Sequence, residues 1–232
     1  MSGPKILFFD IETAGVQALK SDLGFCLMVG YKWAGTKGAK VLTIKQKDLR
    51  TFNDGPLLTE FSKIYTAADM TVAHFGSVFD RRFIQGRLLI NKLPPIPATR
   101  MRDTCMLARS IANYSSNRLG NLSNTLNLSN KKIDKGEGWP KWWFGSMQGN
   151  MQAVRDMAVY CKGDVLALEE LYYRLLPFDN PHPRLHRNED RTVCGKCGGD
   201  IQYHGWAFEK QLRYKRYQCN DCGSWGRDKS AS

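Results

Sequence analysis

Residues 5–13 read KILFFDIET, an apolar run that ends in two acidic residues. A nearly continuous apolar run of this length predicts a strand that is buried on both faces of a sheet. Asp10 and Glu12 are two positions apart, and side chains at this spacing lie on the same face of a strand. Two neighbouring carboxylates repel each other unless a cation lies between them, so the pair predicts a site for Mg²⁺ or Mn²⁺. The alternative is an acidic strand end that simply faces water.

Strand and helix patterns alternate through the first three quarters of the chain. Apolar periodicity predicts further strands at 25–33, 40–45 and 70–75, and helices at 57–68, 80–90, 103–111, 119–128 and 151–175. This alternation is typical of an α/β domain. We therefore predict an α/β domain at residues 1–176, a proline-rich, charged linker at 177–191 and a small C-terminal domain at 192–232.

Two further acidic residues lie on predicted helices. Asp80 opens a helix after the loop segment HFGSVFD, although the helix dipole alone also favours an acid in a first turn. Tyr160 and Asp164 are four positions apart in YCKGD, so they lie on one face of the longest predicted helix. A tyrosine hydroxyl one turn from a carboxylate is suited to positioning a water molecule.

The ordered set of DxE, Phe-Asp at a helix start and YxxxD resembles the DEDD exonuclease superfamily. It is most similar to the tyrosine-bearing branch, which includes the proofreading domains of DNA polymerases and ribonuclease D. The resemblance covers residues 5–176 and implies a ribonuclease H-like mixed sheet flanked by helices. It also implies that two Mg²⁺ or Mn²⁺ ions are held by four carboxylates, with Tyr160 orienting the attacking water. The four carboxylates are those of Asp10, Glu12, Asp80 and Asp164.

Three other segments bear on this resemblance. Phe75 follows His74 at a position where family members often have asparagine, so we expect Phe75 either to stack on a base or to pack. RDTCMLARS at residues 102–110 resembles a helix that many members carry after the second motif. WPKWWFG at residues 139–145 is predicted to be a loop whose aromatic side chains pack over a core; a stacking platform is the alternative.

Seven cysteines are present, and four of them form two CxxC pairs near the C-terminus. These four are Cys194, Cys197, Cys219 and Cys222. Two CxxC turns supply the four thiolates of a tetrahedral Zn²⁺ site, so the segment is predicted to be a zinc-ribbon with one structural zinc ion. Cys26, Cys105 and Cys161 lie among apolar residues and are predicted to be buried free thiols.

The formal net charge is +12 and the pI is about 9.4, which favours a nucleic-acid partner. Arg213, Lys215 and Arg216 alternate with tyrosines in QLRYKRYQ and are candidate contacts to nucleic acid. The aromatic side chains of this segment either stack on bases or form the core of a very small domain. No secretory pattern or membrane-spanning run is present, so we expect an intracellular, cytoplasmic protein with no membrane partner.

Together, these features predict a 3′→5′ exonuclease that releases nucleoside 5′-monophosphates, with single-stranded DNA as the favoured substrate. An exoribonuclease of the ribonuclease D type is one alternative. A non-catalytic adaptor that docks on nucleic acid or on a polymerase is another, although all four acids are present. A polymerase, or another replication or repair protein, is the protein partner that this prediction suggests.

Overall fold

The computed structural model describes residues 3–131, 138–186 and 193–228. The chain divides into two compact units: Lys5–Leu171, and Tyr172–Ser232 together with Met1–Pro4. The division falls inside the last long helix, close to the predicted domain boundary at residue 176. The end of the predicted linker lies outside the described residues, so the boundaries 1–176, 177–191 and 192–232 stay predictions.

The first unit is built on a mixed five-stranded sheet. Its strands are β1 (Ile6–Gly15), β2 (Gly24–Trp33), β3 (Lys40–Thr43), β4 (Met70–Ala73) and β5 (Arg100–Asp103). The strand order is β3-β2-β1-β4-β5, with β1–β2 and β2–β3 antiparallel and β1–β4 and β4–β5 parallel. The mixed sheet flanked by helices that the sequence predicts is confirmed.

Helices pack on this sheet. They are α1 (Gln46–Leu49), α2 (Gly55–Thr66), α3 (Asp80–Ile90), α4 (Thr104–Ile111), α5 (Leu119–Thr125), α6 (Gly138–Met147) and α7 (Met151–Leu175). Among the residues that the structure describes, no helix has both the length and the apolar character needed to cross a bilayer.

Side chains alternate across β1 and divide the core into two clusters. Leu7, Phe9 and Ile11 belong to one cluster, which also contains buried side chains of α2 and α3. The other cluster includes Met157 and Cys161 of α7 and several side chains of β2. Asp10 and Glu12 occupy the alternate positions of β1, so they face the same side of the sheet as α7.

Several elements differ from the sequence-based prediction, among them the short helix α1, which was not predicted. β1 continues to Gly15, so the two acids lie in the middle of the strand and not at its end. β5 was not predicted because its sequence, RMRD, carries no apolar pattern; it is a strand only through its pairing with β4. The aromatic segment predicted to be a loop forms part of α6.

A buried ion pair joins the start of α2 to α3. Both Asp54 oxygens accept hydrogen bonds from Arg87, whose Nε and Nη2 atoms lie 2.9 Å away. The same carboxylate accepts from the backbone N–H of Cys26 at 2.8 Å and from Asn91 Nδ2 at 2.7 Å. These groups are removed from water and bond one another instead. Loss of one partner therefore leaves the others buried without a hydrogen bond, at the cost of their full desolvation free energy.

We predict that Asp54→Ala lowers the free energy of unfolding by about 3–5 kcal/mol, since it leaves the Arg87 guanidinium buried without its counter-ion. Urea denaturation followed by circular dichroism measures this loss. Glu60→Ala, on the exposed side of the same helix, is the control and changes the free energy by less than about 0.5 kcal/mol. Equal midpoints for the two variants would contradict a structural role for Asp54.

The second unit contains a three-stranded antiparallel sheet with the order β6-β7-β8. Its strands are β6 (Ile201–Glu209), β7 (Leu212–Cys219) and β8 (Trp225–Arg227). β6 and β7 form a hairpin, and β8 pairs with β7. A short 3₁₀ helix, Leu176–Phe178, lies before this sheet, and Asp179 and His182 of the predicted linker segment are buried.

Candidate active site and zinc site

The strand β1 extends beyond its parallel neighbour, and the two acids lie on the extension. β1 pairs with β4 only over Ile6–Phe8, because β4 ends at Ala73. The pairing with β2 continues, and there Asp10 lies opposite Gly30. The β4 side of β1 is therefore open at Asp10 and Glu12, which leaves room for groups from other elements.

Asp80 reaches this opening from the first residue of α3. Its Oδ1 accepts a hydrogen bond of 3.2 Å from the backbone N–H of Ile11, the residue between the two acids of β1. The carboxylate of Asp80 is buried. A third carboxylate thus lies beside the acidic pair, although it is about seventy residues away in the sequence.

The loop that leads into α3 is held by Asp103, which the sequence analysis did not single out as a site residue. The Asp103 carboxylate accepts from the backbone N–H groups of Phe75 and Ser77 at 2.9 and 3.0 Å, and from the Ser77 hydroxyl at 2.5 Å. It also caps α4 by accepting from the N–H groups of Cys105 and Met106. Asp103 is therefore a positioning residue for the loop that carries Asp80.

Tyr160 and Asp164 approach from α7, where both side chains are buried on the same face. Gly30 permits this approach. A Cβ atom at Gly30 would lie 2.6 Å from Cys161 Sγ and 2.9 Å from Val165 Cγ2, closer than real contacts allow. The absence of a side chain opposite Asp10 thus lets α7 pack directly on β2.

The pKa values at this site reflect buried negative charge. Burial raises the pKa of Asp80 to about 7, against the opposing hydrogen bond from Ile11, and the charge of Asp103 adds to the rise. Burial also raises the pKa of Tyr160, and so do the charges of Asp164 and Glu12. Tyr160 therefore remains a neutral phenol at neutral pH.

Asp10, Glu12 and Cys161 form a group whose ligand atoms all lie within 4.8 Å of one another, and Asp80 and Asp164 lie outside that group. Cys161 is a buried free thiol, as predicted, and burial together with Asp10 and Glu12 raises its pKa well above the ordinary value. A neutral thiol is a poor ligand for Mg²⁺, whereas the carboxylates are oxygen donors that suit Mg²⁺ and Mn²⁺. The donor set therefore fits hard divalent cations.

Phe75 has a backbone φ of 65° in the loop held by Asp103. Such a φ is a steric outlier for a bulky side chain and is retained where the surroundings enforce it. The Phe75 ring is exposed, and the Arg109 guanidinium carbon lies 5.8 Å from its centroid. His74 is structural, because its two ring nitrogens contact Thr104 Oγ1 and Asn117 O, each at 2.9 Å.

The aromatic segment on α6 is divided between packing and exposure. Trp142 and Trp143 pack on the cluster that contains Met157, and the Trp143 indole donates to Thr13 O at 3.1 Å. Phe144 is exposed. Packing is thus the main role of the two tryptophans, as predicted, and the side chain of Trp139 lies outside the described residues.

Four cysteine sulfurs converge in the second unit and lie within 4.8 Å of one another. They belong to Cys194, Cys197, Cys219 and Cys222. The sulfur–sulfur distance is 3.8 Å for Cys194–Cys222 and 3.5 Å for Cys197–Cys219. A metal ion bonded to four sulfurs at about 2.3 Å requires tetrahedral edges of about 3.8 Å, so the cluster fits Zn²⁺.

The two CxxC turns have the same backbone design. The N–H of Gly198 donates to Cys194 O at 2.8 Å, and the N–H of Gly223 donates to Cys219 O at 3.1 Å. Both glycines have positive φ, 84° and 70°, which a residue with a side chain rarely adopts. The glycine after each CxxC pair therefore closes the turn that aims two sulfurs at one point.

The three basic residues predicted to contact nucleic acid are exposed, but they lie on two faces of β7. Arg213 and Lys215 alternate on one face, and Arg216 is on the other. Arg213 lies over Trp206, with its guanidinium carbon 4.5 Å from the ring centroid, and Arg216 lies over Trp225 at 4.9 Å. The sequence could not reveal which aromatic ring each cation would contact.

Comparison with known proteins identifies the first unit. Residues 7–176 match the sequence model of the RNase H superfamily. No curated protein matches the chain. Among solved structures, the chain is similar to the family B DNA polymerase from the hyperthermophilic archaeon Pyrobaculum calidifontis, with 15% identity and a TM-score of 0.57. The match covers 76% of this chain and 25% of that chain, so this chain spans about a quarter of the polymerase's length.

We predict that Cys219→Ser abolishes zinc binding, because structural zinc contributes about 10–16 kcal/mol of apparent binding energy only when its ligand shell is complete. Elemental analysis after dialysis measures zinc per chain. Cys105→Ser, which replaces a thiol outside the cluster, retains the zinc of the unaltered protein. Retention of zinc by Cys219→Ser would contradict a Cys₄ site.

Proposed function

The chain belongs to the RNase H superfamily, and on that premise we propose that it is a metal-dependent 3′→5′ exonuclease releasing nucleoside 5′-monophosphates. The observation that carries the proposal is the convergence of acids from β1, α3 and α7 beside a buried tyrosine. The Asp80 carboxylate accepts a hydrogen bond from the backbone N–H of Ile11, between Asp10 and Glu12. Asp164 and both β1 acids lie close enough to Tyr160 to raise its pKa.

Asp10, Glu12, Asp80 and Asp164 would hold two Mg²⁺ or Mn²⁺ ions. When bound, such ions lower the pKa of a water molecule and stabilise the departing 3′-oxygen. Clustered, buried carboxylates are suited to this task because a divalent cation relieves their mutual repulsion. A divalent cation beside Asp80 would stabilise the ionised carboxylate and so lower its raised pKa.

Tyr160 is proposed to orient the attacking water. Its raised pKa keeps the hydroxyl protonated, so it acts through a hydrogen bond and does not remove a proton as a base. Asp164 lies one helical turn from Tyr160, and its charge contributes to the raised pKa of the hydroxyl. The hydroxyl is therefore close to a proposed metal ligand. The rigid α7 then fixes their separation.

Single-stranded DNA is the proposed substrate, with RNA as the second candidate. The order of the acidic motifs supports cleavage from 3′ ends, and the net charge of +12 supports a polyanionic substrate. The similar solved structure is that of a DNA polymerase, and at 15% identity it supports the fold alone. Phe75, exposed on the loop that leads to Asp80, is proposed to contact a base of the substrate.

The wider setting is also proposed. A cytoplasmic protein with one structural Zn²⁺ in its C-terminal ribbon would act alongside a polymerase or another replication or repair protein. The rival function is a non-catalytic adaptor with the same fold. Burial of several like charges in one place favours the enzyme, because an adaptor gains nothing from retaining them.

A panel of 5′-labelled oligonucleotides tests the proposal. With Mg²⁺ or Mn²⁺ the protein should convert single-stranded DNA into a descending ladder, and RNA and duplex DNA report sugar and strand preference. Asp164→Asn should lower the rate by at least about a thousandfold, since it replaces a charged metal ligand by a neutral side chain of the same size. Asp156→Asn, one acid on the same helix outside the cluster, is the control and retains the rate.

Cleavage by Asp164→Asn at the unaltered rate would refute the assigned site. With a 3′-labelled strand, a ladder of labelled products would refute the direction, because a 3′→5′ exonuclease releases the label with its first cut. If no strand is cleaved with either metal ion, the adaptor function is what remains.

We predict that Tyr160→Phe lowers kcat by roughly 10²–10⁴-fold, the range for loss of one group that positions or transfers a proton. The measurement is single-turnover cleavage of single-stranded DNA at saturating Mg²⁺. Tyr65→Phe also removes a buried hydroxyl, one that contacts Thr71 in the core, and should leave kcat unchanged. Equal kcat for Tyr160→Phe and the unaltered protein would make Tyr160 a packing residue.

A further inference from the structure

Three aromatic side chains of β6 form a column on one face of the ribbon sheet. Tyr203 pairs with Tyr217, Trp206 with Lys215, and Phe208 with Arg213 across β6 and β7. Because cross-strand partners share a face, and alternate residues of β7 do too, all these side chains are on the same side. We name this surface, formed by Tyr203, Trp206, Phe208, Arg213 and Lys215, the ring face.

A β-bulge creates this column. Tyr203 and Trp206 are three positions apart, and regular alternation would place them on opposite faces. The register shifts between them, and Gly205 in the bulge has a φ of 62°. A bulge with glycine in this conformation adds one residue to the strand, which returns Trp206 and Phe208 to the side of Tyr203.

The column is not a hydrophobic core. Tyr203, Trp206 and Phe208 are 48%, 37% and 76% exposed, whereas the sulfurs of the cysteine cluster come from residues that are buried or nearly so. The sequence alone allowed these aromatic residues to be the core of a very small domain. Their exposure leaves that task to the cysteine cluster, because three large apolar side chains in water contribute little to folding.

Two cations complete the ring face. The Arg213 guanidinium carbon lies 4.5 Å from the Trp206 ring centroid, and Lys215 Nζ lies 5.8 Å from that of Tyr203. The Tyr203 hydroxyl donates to Asp228 Oδ1 at 3.0 Å, which fixes the orientation of that ring. Rings and guanidinium planes both stack on bases, and the positive charges attract phosphates.

The spacing of the rings selects a single strand. Trp206 and Phe208 are two residues apart on β6, so their Cα atoms are about 6.6 Å apart. Successive nucleotides in a stacked strand rise only about 3.4 Å. Bases on successive rings must therefore be unstacked from each other, a conformation that a single strand adopts and a duplex does not.

We infer that the ring face binds single-stranded nucleic acid by stacking unpaired bases on Tyr203, Trp206 and Phe208, with Arg213 and Lys215 contacting the backbone phosphates. This inference rests on the proposed nuclease function for the identity of the ligand and adds a second, non-catalytic site for the same strand.

The opposite face of the sheet provides an internal control. It carries Trp225, which is 47% exposed, beneath Arg216. Arg216 Nε donates to His204 O at 3.1 Å, and Arg227 forms an ion pair with Glu209 on the same side. Arg216 and Arg227 are thus each held by an oxygen atom of the ribbon, and the Trp225 ring contacts the His204 ring, with 5.6 Å between their centroids.

The test measures binding of two fluorescein-labelled strands of about twenty nucleotides, one oligothymidine and one abasic, to the full chain carrying Asp10→Ala. Phe208→Ala should weaken oligothymidine binding roughly 5- to 100-fold, as expected for the loss of one stacking ring, and should weaken abasic binding less than about twofold. Trp225→Ala should change neither. Zinc content per chain verifies that each ribbon is folded.

Equal affinity of the Asp10→Ala protein for the two strands would overturn the inference, because phosphates alone would then explain binding. An equal loss in Phe208→Ala and Trp225→Ala would also overturn it. Cleavage of a short single strand by Phe208→Ala with Asp10 intact tests the nuclease separately: an unaltered rate leaves the proposed function in place whatever the binding result. Absence of cleavage by the unaltered protein would refute the nuclease and not the ring face.

Discussion

The structure of the first unit depends on keeping like charges together beside the middle of β1. Buried carboxylates repel one another and lose hydration, so each must be held in place by contacts that outweigh this cost. Asp80 is held by the Ile11 N–H and by a loop that Asp103 fixes. Asp164 is held by α7, which reaches the sheet because Gly30 has no side chain. Carboxylates held in this way are suited to binding a divalent cation.

This arrangement separates the clustered acids from the groups that hold them in place. Asp103 holds the loop before α3, and Gly30 lets α7 approach β2. The ion pair of Asp54 and Arg87 joins α2 to α3, and Asp54 also accepts a hydrogen bond from the backbone N–H of Cys26 in β2. Such supporting groups determine whether carboxylates stay within the fraction of an ångström that metal chemistry requires.

In the second unit, a cysteine cluster performs the task that a hydrophobic core performs in the first. Sulfur–sulfur distances of 3.5 and 3.8 Å match a metal-centred tetrahedron, and in sites of this kind metal binding and folding are one process. A domain stabilised in this way does not need its large side chains inside. That freedom explains how Trp206 and Phe208 remain at the surface.

The sequence by itself determined what depends on near neighbours. Strand alternation placed Asp10 with Glu12, helix periodicity placed Tyr160 with Asp164, and two CxxC turns determined the cysteine cluster. Tertiary structure decided what depends on distant partners. β5 exists only through β4, and Asp103 holds the Asp80 loop through contacts nearly thirty residues away. The face on which Trp206 lies depends on a bulge defined by pairing with β7, and no local pattern encodes that register.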